Sequence, residues 1–313
     1  MILDRRKFLQ VSAASLAAGS MATLETLSAA QRSGRRPAAW QPRYSICSEL
    51  FEGWSVEKVA PLIGKLGYTG LEIAPFWLED HVDKVTAERR REIKRILADH
   101  NVVVSGLHWL LITPPWLHVT TPDEKVRNDS WDYVLKLIDL CADLDGKIMV
   151  FGSPKQRTSK GIPARQAVTN LVEGFKRVAP HATSRGVVIC MEPIPTNQSC
   201  DVVNTMAQGA GVVARVAQRS IQSMYDVHNT SDETLPADLL IARHAPMIKH
   251  IHINEMDGGY PGTRDYDFKP LFRALRKINY QGWTSVEVFD FKPGAEKIAT
   301  ESIAFMKKVL TES

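Results

Sequence analysis

The sequence predicts an α/β protein, a closed parallel (β/α)₈ barrel, on three observations. Short apolar runs alternate eight times with segments of helical period. The runs are apolar throughout rather than alternating, as expected of strands covered on both faces. Behind an N-terminal stretch of different character, about 270 residues remain, close to the usual length of one such barrel. A doubly wound open sheet is the alternative, but no GxGxxG motif follows the first strand to support it.

The N-terminus is set apart by composition. Asp4-Arg5-Arg6-Lys7-Phe8-Leu9 carries a twin arginine, Val11 to Leu24 is weakly apolar and rich in Ala and Ser, and Ser28-Ala29-Ala30 supplies small residues for cleavage. Residues 1–30 are therefore expected to be a Tat export signal, directing the mature protein to the periplasm or outside the cell. The apolar stretch is too short for a good membrane span, so no stable membrane anchor is expected after cleavage. Residues 31–41, with Arg32, Arg35, Arg36 and Pro37, read as a linker. Residues 42–313 form the expected catalytic barrel.

The first strand is Tyr44–Cys47. A helix with Val56, Val59, Leu62, Ile63 and Leu66 on one face follows it, and Gly67 is placed to stop that helix. Strand two is Gly70–Ile73, and its helix begins near Thr86. Strand three is Val102–Leu107, followed by a helix through Trp131, Val134, Leu135, Ile138 and Cys141. Strand four is Ile148–Phe151, and its helix spans 163–184 with Pro163 near the start. Strand five is Val187–Met191 and strand six is Ser223–Tyr225, with helices at 205–217 and 235–243. Strand seven is Ile248–Ile253, followed by a helix carrying Phe268, Leu271, Phe272, Leu275 and Ile278. Strand eight is Thr284–Val288, and the last helix runs over 295–310.

The charge is nearly balanced, 39 basic against 35 acidic residues, and several of the excess positives fall in the first 41 residues. The barrel therefore has no electrostatic case for nucleic acid. The four cysteines, Cys47, Cys141, Cys190 and Cys200, show no CxxC spacing and read as buried free thiols.

Barrel active sites form at the C-terminal ends of the strands. Those positions hold Glu72, His108, Gly152 with Lys155 and Arg157 beyond it, Glu192, Asp226 with His228, His252 and Glu287. Glu192, Asp226, His252 and Glu287 close four successive strands. Two glutamates, an aspartate and a histidine make an oxygen-rich set suited to one divalent cation, Mn²⁺ foremost, with Mg²⁺, Co²⁺ or Zn²⁺ as alternatives. His250 competes with His252, since alternation points both to the same side of the sheet. His252 is preferred as the nearer to the strand end.

Met191-Glu192-Pro193, Tyr225-Asp226-Val227-His228, His250-Ile251-His252-Ile253-Asn254-Glu255 and Val286-Glu287-Val288 resemble segments of the xylose-isomerase-like TIM-barrel superfamily. Within it they are most similar to the sugar phosphate isomerase/epimerase group, which includes ketose 3-epimerases and hydroxypyruvate isomerases. Pro261–Tyr266 and Cys200–Thr205 also resemble that group's loops, and the likeness covers roughly residues 43–310. The resemblance implies Glu192, Asp226, His252 and Glu287 as metal ligands, the two glutamates as proton-transfer groups, and His228 as a substrate contact. It also shows departures. Gln198 stands where ketose 3-epimerases have a second glutamate, and Gly258 where they have an arginine. The spacing from Asp226 to His228 is one residue shorter.

The implied activity is sugar isomerisation or epimerisation by proton abstraction next to a carbonyl, with Glu192 and Glu287 as base and acid. The alternative is a lyase of the same fold, acting on keto-sugars or keto-glycosides. An abasic-site endonuclease and a non-catalytic sugar-binding protein are remoter readings. In the isomerase reading His228, His108 and Glu72 contact substrate hydroxyls. Lys155 and Arg157 either bind an anionic substrate group or form a solvated basic loop. Trp109, Trp116, Phe76 and Trp77 either stack on the sugar or pack their own loops. The expected partner is a small-molecule sugar, and self-association into a homo-oligomer stays open.

Overall fold

The computed structural model describes residues 40–313. The expected export signal and all but the last two residues of the linker lie outside the described residues. Residues Pro42–Ser313 make one compact unit. No described helix is long and apolar enough to cross a membrane.

Eight parallel strands close into a barrel in the order of the chain: β1 (Arg43–Cys47), β2 (Gly70–Ile73), β3 (Val103–Leu107), β4 (Ile148–Phe151), β5 (Val188–Met191), β6 (Ile221–Asp226), β7 (Ile248–Ile253) and β8 (Trp283–Val286). Strand β8 pairs with β1 and removes the sheet edge. A long helix follows each strand: α1 (Val56–Leu66), α2 (Ala87–Ala98), α3 (Glu124–Asp143), α4 (Ala164–Arg185), α5 (Met206–Val216), α6 (Ala237–His244), α7 (Lys269–Lys277) and α8 (Ala295–Thr311).

Local chemistry sets several of the boundaries. Thr86, Asp123 and Thr205 accept the backbone N–H three residues on and cap α2, α3 and α5. Gly67 ends α1 in the left-handed region, at φ 96°, where a side chain would be strained. Strand β6 is longer than the sequence reading, because pairing to β5 and β7 extends it to Ile221 and Asp226.

Alternation along each strand sorts the side chains into the barrel interior or against the helices. Ile148, Val150, Cys190 and Met224 form an apolar cluster on β4, β5 and β6. Two residues further along the same rows come Gly152, Glu192 and Asp226, so the polar layer lies directly over an apolar floor. The four cysteines are free and buried.

Candidate active site

Above the apolar floor, buried titratable groups from several strands meet: Glu72, His108, Glu192, Asp226, His252 and Glu287. His252, paired in register with Asp226 on one side and Ser285 on the other, is fully buried. Its Nδ1 lies 2.9 Å from Glu287 Oε2, 3.9 Å from Glu192 Oε1 and 4.0 Å from Asp226 Oδ2. One ligand atom from each of Glu192, Asp226, His252 and Glu287 falls within 4.8 Å of the others. Donors bound to one ion at about 2.0–2.6 Å stand at most roughly 4–5 Å apart, so the set fits a single cation. Among the described residues, His252 Nδ1 has no aligned hydrogen bond although it is buried. An orphaned imidazole nitrogen facing three carboxylates is the donor arrangement that a hard or borderline divalent ion satisfies.

Burial and mutual repulsion act on the acids of the cluster in opposite senses from the histidines. Burial, reinforced by the charges of Glu287 and Asp226, pushes the Glu192 carboxyl well above its ordinary range. Burial and the Glu287 charge raise Asp226. Burial would raise Glu287 too, but His252 and His108 outweigh it and hold that carboxyl low. Burial disfavours the His252 imidazolium, yet the Glu287 and Glu72 charges raise its pKa.

The acids open onto a cavity of about 250 Å³ lined by Glu192, Glu287, Asn229, Trp109, Phe289 and Ile194, with Lys155 and Gln198 also on its wall. Trp109 and Phe289 stack at 6.1 Å and 22°, and Phe76 packs on Trp109 at 5.8 Å. A larger surface depression of about 720 Å³ contains Lys147, Lys249 and Tyr280 and holds none of these acids. The smaller cavity is therefore the one that matters for chemistry.

Residues 61–309 match the xylose isomerase-like TIM barrel family. The chain belongs to that family. A probable ketose 3-epimerase of Synechocystis is 25% identical over 263 residues, which are 77% of this chain and 86% of that protein. The D-psicose 3-epimerase of Agrobacterium fabrum is 24% identical over 239 residues, 75% of this chain and 78% of that protein. Among solved structures, a D-psicose 3-epimerase crystallised in the presence of D-fructose superposes with a TM-score of 0.75 at 20% identity, covering 86% of this chain and 99% of that one. A 3-keto-D-glucoside 4-epimerase from E. coli superposes with a TM-score of 0.73 at 17% identity, covering 87% and 100%. At these identities the superpositions speak for the fold alone.

Several residues expected to touch substrate stand elsewhere. Glu72 is fully buried, and its two oxygens accept from His250 Nε2 at 2.8 Å and His252 Nε2 at 3.3 Å. It therefore orients the histidine rather than a hydroxyl. Burial alone would raise its pKa, but the two imidazoles outweigh that and hold the carboxyl well below its ordinary range. His250 stands behind His252 on the same carboxylate.

Arg157 is buried and donates to the backbone carbonyls of Gly152 at 3.0 Å and Glu192 at 2.8 Å, and also to that of Val202. Its guanidinium ties the β4 and β5 loops together and is not offered to an anion. Lys155 remains exposed on the cavity wall. His108 is fully buried, with Nδ1 3.1 Å from Glu287 Oε1 and Nε2 in ion-pair contact with Glu49 at 2.8 Å, without aligned hydrogen-bond geometry. Its ring grips Glu287 instead of reaching a ligand.

His228 is half-buried. Its backbone N–H donates to Asp226 Oδ1 and Asn254 Oδ1, and its ring lies 4.8 Å from that of Phe289. Trp77 donates to the Phe51 carbonyl at 3.1 Å and so joins its loop to the one beyond β1, while Trp116 is exposed.

Three contributions went unread in the sequence. Glu49 lies two residues beyond Cys47 on the same inward row, and extending the alternation past the end of β1 would have found it. Trp109, for which the sequence leaves sugar stacking and loop packing open, also donates through Nε1 to Glu287 Oε1 at 2.8 Å, from a backbone held at φ 51°. Asn229 donates its amide N–H groups to Glu192 Oε1 at 2.9 Å and Asp226 Oδ2 at 2.8 Å. Nothing in the sequence distinguishes that asparagine from an ordinary loop residue.

Proposed function

We propose that this protein is a divalent-metal-dependent epimerase or isomerase of sugars, working on a ketose or a keto-glycoside. The observation that carries the reading is one cavity in which Glu192 and Glu287 share a cation-competent cluster with Asp226 and His252. The relatives named as ketose and psicose 3-epimerases support the substrate class.

A C–H bond beside a carbonyl is a very weak acid, so its removal needs a placed base and stabilisation of the enediolate that results. Glu192, Asp226, His252 and Glu287 would hold a divalent ion, which would supply positive charge to offset the negative charge developing on the substrate oxygens. One glutamate takes the proton, and its bonding pair stays with the substrate as the enediolate. The other glutamate returns a proton to the opposite face for epimerisation, or to the neighbouring carbon for isomerisation. His108 and Trp109 hold Glu287 Oε1, and Asn229 holds Glu192 Oε1, so each carboxylate keeps one oxygen fixed. Trp109, Phe289 and Ile194 give the sugar an apolar wall and keep bulk water from the carbanion.

The test is an NMR screen of ketoses and 3-keto-glycosides in D₂O with Mn²⁺ or with EDTA. The expected result is metal-dependent exchange of one substrate C–H for deuterium, with a product isomeric with the substrate. Glu287→Gln at saturating metal is expected to lose about 10²–10⁴-fold in rate, the usual worth of general acid–base catalysis. A dehydrated or cleaved product would establish elimination instead. Absence of both exchange and product across the panel would overturn the reading.

A further inference from the structure

The amide of Asn229 has a polarity that its neighbours dictate. The Asn229 NH₂ faces Glu192 Oε1 at 2.9 Å and Asp226 Oδ2 at 2.8 Å, the orientation that two carboxylates holding a metal ion, able only to accept, would require. The Asn229 carbonyl oxygen then points away and needs a donor of its own, because the side chain is buried. Gln198 Nε2 supplies it at 2.8 Å. The whole chain of donors runs one way, from Gln198 to Asn229 to the two acids.

The two loops that carry this chain are joined a second time. Gln198 closes a helical turn, Thr196–Gln198, beyond β5, and Asn229 lies in the turn His228–Thr230 beyond β6. Thr196 donates through its backbone N–H at 2.8 Å and its hydroxyl at 3.2 Å to Asp232, just past the Asn229 turn. This double attachment holds Gln198 at a fixed height over Asn229, as a donor that sets an amide must be held.

We propose that Gln198 is a positioning residue for the cation site, locking the Asn229 amide so that its NH₂ clamps Glu192 and Asp226, and that in this chain, with Asn229 beneath it, position 198 needs a neutral donor where ketose 3-epimerases have a glutamate. The inference rests on the reading of those two acids as metal ligands. A carboxylate at position 198 would set an acceptor against the Asn229 oxygen. The amide would then turn over and present that oxygen to the two acids, and the ligand oxygens would lose their fixed orientation. An apolar residue there would remove the donor but impose no opposite polarity, so it should do less harm.

Calorimetric titration with Mn²⁺ reads this without any substrate. Groups behind a metal's ligands typically change affinity by about 10–100-fold when replaced. Gln198→Glu is expected to weaken Mn²⁺ binding by that range and Gln198→Met by less. In an Asn229→Ala background neither substitution should weaken it further, because their path to the metal is gone. An effect of Gln198→Glu that persists undiminished in that background, or unchanged affinity in the single variant, overturns the proposal.

Side-chain amide NMR of the metal-free protein gives a second readout. The Asn229 NH₂ signal, assigned by its loss in Asn229→Ala, should be slow to exchange with solvent and should become fast in Gln198→Glu. If the wild type binds no Mn²⁺, the metal reading fails on its own terms, while the amide signals still decide whether Gln198 locks Asn229. An Asn229 NH₂ that is equally protected in both proteins refutes the lock.

Discussion

Replacing Glu72 with glutamine exchanges a single oxygen for NH₂ at a site with no solvent exposure. The carboxylate accepts from two imidazoles, His250 at 2.8 Å and His252 at 3.3 Å. An amide has one oxygen, so one ring N–H would face an NH₂ donor with no water to replace the lost partner. A buried polar group left unpaired costs about 1–3 kcal/mol. At about 2–4 °C per kcal/mol for a domain of this size, melting should fall by roughly 2–12 °C. A ring can escape the clash by moving its proton to the other nitrogen. For His252 that nitrogen is Nδ1, the one facing Glu192, Asp226 and Glu287. A protonated Nδ1 cannot ligate, so Mn²⁺ affinity should drop by about 10–100-fold, which is about 1.4–2.8 kcal/mol. Thermal melts and calorimetric Mn²⁺ titration of Glu72→Gln measure the two effects separately. Wild-type melting together with wild-type affinity would refute the claim that Glu72 orients His252.

Two further outcomes follow from the same geometry. A Cβ at position 152 would lie 2.1 Å from Glu192 Oε2, so Gly152→Ala must displace that carboxylate; Mn²⁺ binding should weaken by about tenfold or more while circular dichroism stays native, and unchanged affinity would show that Glu192 can move freely. Burial, with the Lys160 charge second, lowers His118 from 6.5 to about 4. The folded protein thus binds fewer protons than the unfolded chain in that window, and stability falls as pH drops from 6.5 toward 4. His118→Gln should lose less melting temperature than the wild type between pH 7 and pH 4.5, and equal losses would remove His118 as a cause.

The barrel is legible along the chain. Eight apolar runs alternating with amphipathic helices carry the closed parallel architecture, and stops such as Gly67 and caps such as Thr86 act through the few residues beside them. Such signals are local, so they can be read along the chain. The cluster of Glu192, Asp226, His252 and Glu287 was legible for a related reason. Each closes a strand, and a barrel brings its strand ends to one mouth.

The roles of the surrounding residues were not legible. Glu72, His108 and Arg157 have the residue types of substrate contacts, and only the packed interior shows their polar atoms committed to His252, Glu287 and the loop carbonyls. Glu49, Asn229 and the indole N–H of Trp109 join the site across 238, 37 and 178 positions of sequence, counting from Glu49 and Trp109 to Glu287 and from Asn229 to Glu192. A single sequence records which groups can donate or accept. Which donor meets which acceptor depends on strand register and on two loops folding against each other, and both are settled only when the barrel closes.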